Sequence, residues 1–200
     1  TRAGFEYPED LLEPLGHARG LRYAPSPFGL ETARLAVAAD YARRGATVDP
    51  DRIVLTSSTS DAYSLLFKVL CDPGDDILVP RPSYPLFEYL AGLDAVTVRT
   101  YDLEYHGQWA IDVDGLERQL TARTRAVLLV SPNNPTGSFV KAAELHRITA
   151  CAAAHGAAII ADEVFADYVL PTSSTGEAIG RVLDAGEALT LSLGGLSKSV

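Results

Sequence analysis

Over the first 28 positions apolar and polar residues follow no regular period, and Pro, Gly and aromatics are frequent. This stretch reads as an extended arm with a short helix near residues 8–15. From Gly29 a period appears: "GLETARLAVAADYARRG" sets apolar residues at helical spacing and closes on Gly45, a C-terminal helix signal. Beyond it, short apolar runs alternate with amphipathic stretches. Strands are predicted at 52–57, 75–80, 95–103, 125–132, 157–165 and 188–194. Helices are predicted between them at 58–72, 84–94, 112–120 and 140–156.

Runs such as "AVLLV" and "AAIIA" are apolar at every position, which suits strands buried on both faces. Strands alternating with helices imply an α/β fold, a mainly parallel central sheet with helices on both faces. The chain thus divides into an arm, 1–28, and an α/β domain, 29–200. In such sheets ligands lie beyond the carboxyl ends of the strands. That rule selects four places: "TSSTS" after the first predicted strand, "SPNNPTG" after the fourth, "ADEVF" at the end of the fifth and "GGLSK" after the sixth.

Composition narrows the classes. A net charge of -9 with no basic block argues against a nucleic-acid partner or an anionic membrane surface. No apolar run approaches a membrane span, and no signal peptide is visible. Cys71 and Cys151 match no metal or redox spacing and read as buried, reduced thiols of a cytoplasmic protein. The four histidines lack ligand spacing, so no metal site is expected. Methionine is absent and the first residue is Thr1; both ends look cut, as in a piece of a longer protein.

The four places carry different chemistry. Ser57, Ser58, Thr59 and Ser60 bridge a strand and a helix, where free N–H groups, the helix dipole and hydroxyls suit a phosphate. Plain N-capping explains one hydroxyl well, but four in a row less well. "SPNNPTG" presents Asn133 and Asn134 at a strand end, although as a bare turn it is unremarkable. Asp162 follows a buried apolar strand, where a carboxylate needs a salt-bridge partner or a cationic ligand. Lys198 is not a P-loop lysine, because the two positions that need glycine hold Ser192 and Ser197. A phosphate cradle, an amide, a buried carboxylate and an amine together are what pyridoxal 5'-phosphate asks for.

"SPNNPTG", "ADEVF" and "GLSKS" resemble the signature blocks of the class I/II aminotransferases, within fold type I of the pyridoxal-phosphate enzymes. Order and spacing agree: Asp162 lies 28 residues after Asn134, and Lys198 a further 36 on. The likeness runs from about Tyr23 to the end. It implies that Lys198 is the Schiff-base lysine and proton shuttle, and that Asp162 holds the ring nitrogen protonated. It implies that Asn134 donates to the ring oxygen and that Tyr84, in "RPSYPLF", stacks on the ring. Ser58, Thr59 and Ser60, with Ser197, fall where the family holds the phosphate. Tyr23 resembles a tyrosine that reaches the phosphate of a neighbouring subunit, so a homodimer is implied.

There are departures. Phe165 stands where many relatives have a tyrosine that bonds the ring oxygen, and Tyr168 lies near it. Gly195 stands where many have a serine, which removes a phosphate contact. The family's later phosphate arginine and its substrate-clamping arginine have no counterpart in these 200 residues. The resemblance implies transfer of an amino group between an amino acid and a 2-oxo acid. Its rivals are another fold-type-I activity, such as a carbon–sulfur lyase or a decarboxylase, and an aminotransferase-like sensor domain of a transcription regulator.

Overall fold

The computed structural model describes residues 9–168, 180–184 and 186–199. Contacts divide the chain into two compact units, one ending at Thr56 and the other beginning at Ser57.

In the first unit, 3-10 turns at Glu9–Gly16 and Ala18–Leu21 precede helix α1, Glu31–Arg43. Arg34 is buried on α1, and its Nη1 donates to the carbonyl of Pro50 at 2.7 Å and to Asp51 Oδ1 at 3.1 Å. These bonds tie α1 to a 3-10 turn at Pro50–Arg52, which Asp49 caps by accepting from the Asp51 amide. The contacts therefore group α1 with the residues before it, whereas the sequence reading joins it to the α/β domain. The strand predicted at 52–57 is corrected: residues 53–57 join no sheet ladder. The Leu55 amide instead donates to the Phe28 carbonyl at 3.0 Å.

The second unit opens with helix α2, Thr59–Leu70, followed by β1, Asp76–Arg81, and α3, Leu86–Leu93. Then come β2, Thr97–Tyr105; β3, Trp109–Ile111; α4, Val113–Gln119; and β4, Thr124–Val130. Helix α5, Ala142–Ala154, β5, Ala158–Asp162, β6, Thr190–Leu193, and the short α6, Leu196–Ser199, complete it. The six strands form one sheet in the order β3-β2-β1-β4-β5-β6. All neighbours pair in parallel except β2 and β3. This is the α/β architecture the sequence implies.

Strand residues alternate between two cores, as the two-residue period of a strand requires. Ile77, Val79, Ala126, Leu128 and Ile160 face Tyr63 and Phe67 of α2 and Phe87 and Ala91 of α3. Leu78, Val127, Leu129, Ile159 and Ala161 face Leu116 of α4 and Leu145, Ile148 and Ala152 of α5. The apolar runs are continuous because both faces are covered.

Three expectations shift. β3 was not predicted; it is three residues long and turns back on β2 past Gly107, whose φ of +81° only glycine adopts readily. β5 ends at Asp162 rather than at residue 165, because the chain turns at residues 164–167. The two cysteines are free but only partly buried, and burial with the Asp75 charge pushes the Cys71 thiol up to about 11. Among the described residues, no helix is long and apolar enough to cross a membrane, and no His, Cys, Asp and Glu cluster could hold a metal.

Candidate functional site

The sheet order reverses between β1 and β4, and the crevice for ligands in such sheets opens beyond the strand ends at that switch. Two loops meet there. Asn133, only 4% exposed, donates through Nδ2 to the Pro82 carbonyl at 3.1 Å and to Thr136 Oγ1 at 2.9 Å. It thereby braces the loop after β4 against the loop after β1. Its Oδ1 and the Ser83 hydroxyl are buried without a partner among the described residues. Asn134 is exposed, and its amide makes no hydrogen bond among the described residues. The adjacent asparagines therefore divide into a brace, Asn133, and an available donor, Asn134. Tyr84, 48% exposed, stands in the loop after β1 with its hydroxyl uncommitted among the described residues.

Asp162 ends β5, flanked in register by Val130 of β4 and Leu193 of β6. Its carboxylate accepts from the Tyr63 hydroxyl at 2.8 Å on Oδ2 and from the Val164 amide at 3.1 Å on Oδ1. No lysine, arginine or histidine among the described residues pairs with it. Burial pushes the Asp162 carboxyl above the ordinary range, and the two hydrogen bonds pull it back. The Tyr63 hydroxyl is pushed well above its usual value by burial and by the Asp162 charge, so it stays a donor.

Helix α2 brings the hydroxyl run to the same end of the sheet. It leads into the amino end of β1, so its own N-terminus lies towards the carboxyl ends. Thr59 is one turn, about 6 Å, before Tyr63. The hydroxyls divide in use. Ser58 caps the helix, accepting from the Asp61 amide at 3.1 Å, while the Ser57 amide and hydroxyl both donate to Asp61 Oδ2. The hydroxyls of Thr59 and Ser60 make no hydrogen bond among the described residues. Capping thus accounts for part of the run and leaves two donors over. With residues 53–57 outside the sheet, this run follows no strand of it, and only three of the four predicted places are true strand ends.

Lys198 lies five residues past β6, in α6, exposed and with no ion-pair partner for its ammonium among the described residues. Its amide donates to the Gly195 carbonyl at 2.8 Å, and its own carbonyl accepts from the Tyr168 hydroxyl at 3.0 Å. Tyr168 therefore ties the turn after β5 to the lysine segment, with Phe165 edge-on to its ring at 5.9 Å. Gly195 has a packing reason: a Cβ there would come within 2.9 Å of Val164 Cγ1. Ser197 is exposed beside Lys198. Tyr23, 92% exposed, belongs to the first unit. The residue that sequence reasoning missed is Tyr63. Its signal was a hydroxyl in the apolar stripe of α2, where a buried tyrosine needs a polar partner.

The fold and these strand ends define an α/β domain with polar groups at the carboxyl ends of its strands. The family model for aminotransferase class I and II matches residues 9–200. The chain is 35% identical to tyrosine aminotransferase of Homo sapiens over 164 residues, covering 82% of this chain and 36% of that protein. It is 31% identical to a glutamate-pyruvate aminotransferase of Escherichia coli (strain K12), covering 98% of this chain and 48% of that protein. Among solved structures, alanine aminotransferase from Pyrococcus furiosus superposes with a TM-score of 0.82 at 30% identity, covering 97% of this chain and 49% of that one. N-Succinyldiaminopimelate aminotransferase from Mycobacterium tuberculosis gives 0.84 at 27%, covering 97% and 51%. The chain belongs to the class I and II aminotransferases. It spans less than half the length of these curated relatives.

Proposed function

We propose that this protein is a pyridoxal-phosphate-dependent aminotransferase that moves an amino group between an amino acid and a 2-oxo acid, as a cytoplasmic homodimer. The observation that carries the reading is Asp162. A half-buried carboxylate with lone pairs to spare and, among the described residues, no cationic side chain paired with it calls for a cationic ligand. The other donors fit the same group: the hydroxyls of Thr59 and Ser60 at a helix N-terminus for a phosphate, and Lys198 for a carbonyl, all without a side-chain partner among the described residues. When bound, the cofactor supplies an aldehyde for amines to condense with and a protonated ring that withdraws electrons.

The chain's own residues then have these roles. Lys198 Nζ would hold the cofactor covalently, and its amine would carry the proton removed from the substrate α-carbon. Asp162 would hold the proton on the ring nitrogen. Asn134 would donate to the ring oxygen, and Tyr84 would cover the ring face. Ser58, Thr59, Ser60 and Ser197 would take the phosphate, and Tyr23 would reach that of the neighbouring subunit. Tyr168, bonded to the Lys198 carbonyl, is not assigned to the ring oxygen in place of the tyrosine absent at Phe165.

The test is a panel of amino acids offered to the full-length protein with the cofactor, with and without a 2-oxo acid. Keto-acid formation that requires the added acceptor is the expected result. Keto acid and a thiol, or carbon dioxide, released without an acceptor would assign a lyase or decarboxylase and overturn the reading.

A further inference from the structure

We propose that Tyr63 is a positioning residue for Asp162: its hydroxyl fixes the carboxylate and commits it to the acceptor role towards a cationic N–H of the bound ligand. The proposal rests on the reading of Asp162 given above and adds to it a residue from a different element, 99 positions away in sequence.

Asp162 is clamped at two points. Tyr63 of α2 donates to Oδ2 at 2.8 Å, and the Val164 amide from the turn after β5 donates to Oδ1 at 3.1 Å. Tyr63 is itself held firmly. It is 3% exposed, its ring edge-on to Phe87 at 5.2 Å and tilted against Phe67 at 6.0 Å. A rigid ring places its hydroxyl at one point, and the single proton there goes to Asp162. A carboxylate offers about four lone-pair sites, so two remain.

The charge logic agrees with the geometry. Burial favours the protonated, neutral acid, which would present a donor where an acceptor is required. The Tyr63 bond stabilises the anion and opposes that drift. Among the described residues no charged side chain is bonded to Asp162. The facing residues of β4 and β6 are Val130 and Leu193, and the neighbouring Glu163 accepts from Ser192 Oγ of β6 at 2.5 Å. Removing the hydroxyl leaves burial opposed by the Val164 amide, so the Asp162 carboxyl titrates at higher pH.

The experiment compares the full-length wild type, Tyr63→Phe and Asp162→Asn. The Asp162 carboxyl is titrated by 13C NMR without cofactor, with Asp162→Asn supplying the assignment, and pyridoxal-phosphate affinity is measured by fluorescence. Tyr63→Phe is expected to move the titration to higher pH and to weaken cofactor binding about tenfold or more, since bonds to charged groups are the strong ones. Site-specific 3-fluorotyrosine at position 63 keeps the packing, strengthens the donor and is expected to move the titration to lower pH, which covers a phenylalanine variant that fails to fold. An unchanged titration in both Tyr63 variants, while Asp162→Asn weakens cofactor binding, would overturn the proposal for Tyr63 alone. Wild-type affinity in Asp162→Asn would overturn the underlying reading of Asp162, and the proposal with it.

Discussion

Replacing Lys198 with alanine in the full-length protein is expected to lower turnover by at least about 10²–10⁴-fold, the contribution typical of one positioned acid–base group. The loss should exceed that of any other single change at the site, because Lys198 is assigned two duties: the covalent hold on the cofactor and the transfer of the substrate proton. The stability of the cofactor-free protein should hardly move. The side chain is exposed and its ammonium has no ion-pair partner among the described residues, and surface substitutions of this kind usually stay within about 0.5 kcal/mol. Steady-state kinetics beside a thermal melt of the cofactor-free protein therefore separate the roles. Turnover within tenfold of wild type, or a large fall in melting temperature, would contradict them.

The second large effect concerns the scaffold. Phe67→Ala is expected to destabilise the protein by about 3–5 kcal/mol, the range for truncating a buried phenylalanine. Phe67 is fully buried between α2 and the sheet, packed with Ile77, Val79, Leu128 and Ile160. Against a typical total of about 5–15 kcal/mol this is a large fraction. The cavity also lies beside Tyr63, so the support of Asp162 should loosen with it. Urea denaturation measures the loss as a lowered midpoint at unchanged slope. A loss below about 1 kcal/mol would mean that the packing does not bear on α2 as described.

Much of the fold could be read from residues because its strands are buried on both faces. "ILV", "AVLLV" and "AIIA" form continuous apolar runs, and the amphipathic stretches between them became α3, α4 and α5. Where an element takes its identity from a distant partner, sequence carried less. β3 is three residues long and exists by pairing with β2, while "RIVLTS" has a strand's composition but joins no ladder. The candidate site divides along the same line. Asp162 and Lys198 were legible as polar residues at the ends of apolar runs. Tyr63 was not, since an aromatic at helical spacing reads as core and its partner arrives from a strand 99 residues later. Nor could residue type alone distinguish Asn133 from Asn134. Turn geometry buries one against the Pro82 carbonyl and leaves the other exposed.

The central claim, that Lys198 is the amine that binds the cofactor, has a direct test in a chain with three lysines. Lys68 is engaged with Asp94 at 2.6 Å and with Ser64, and the Lys141 backbone opens α5 against Glu144. The full-length protein is incubated with pyridoxal 5'-phosphate, reduced with borohydride, digested and mapped by mass spectrometry. One stoichiometric label is expected, on the peptide containing Lys198. A label on Lys68, on Lys141 or on a lysine outside these 200 residues, with Lys198 unmodified, would contradict it.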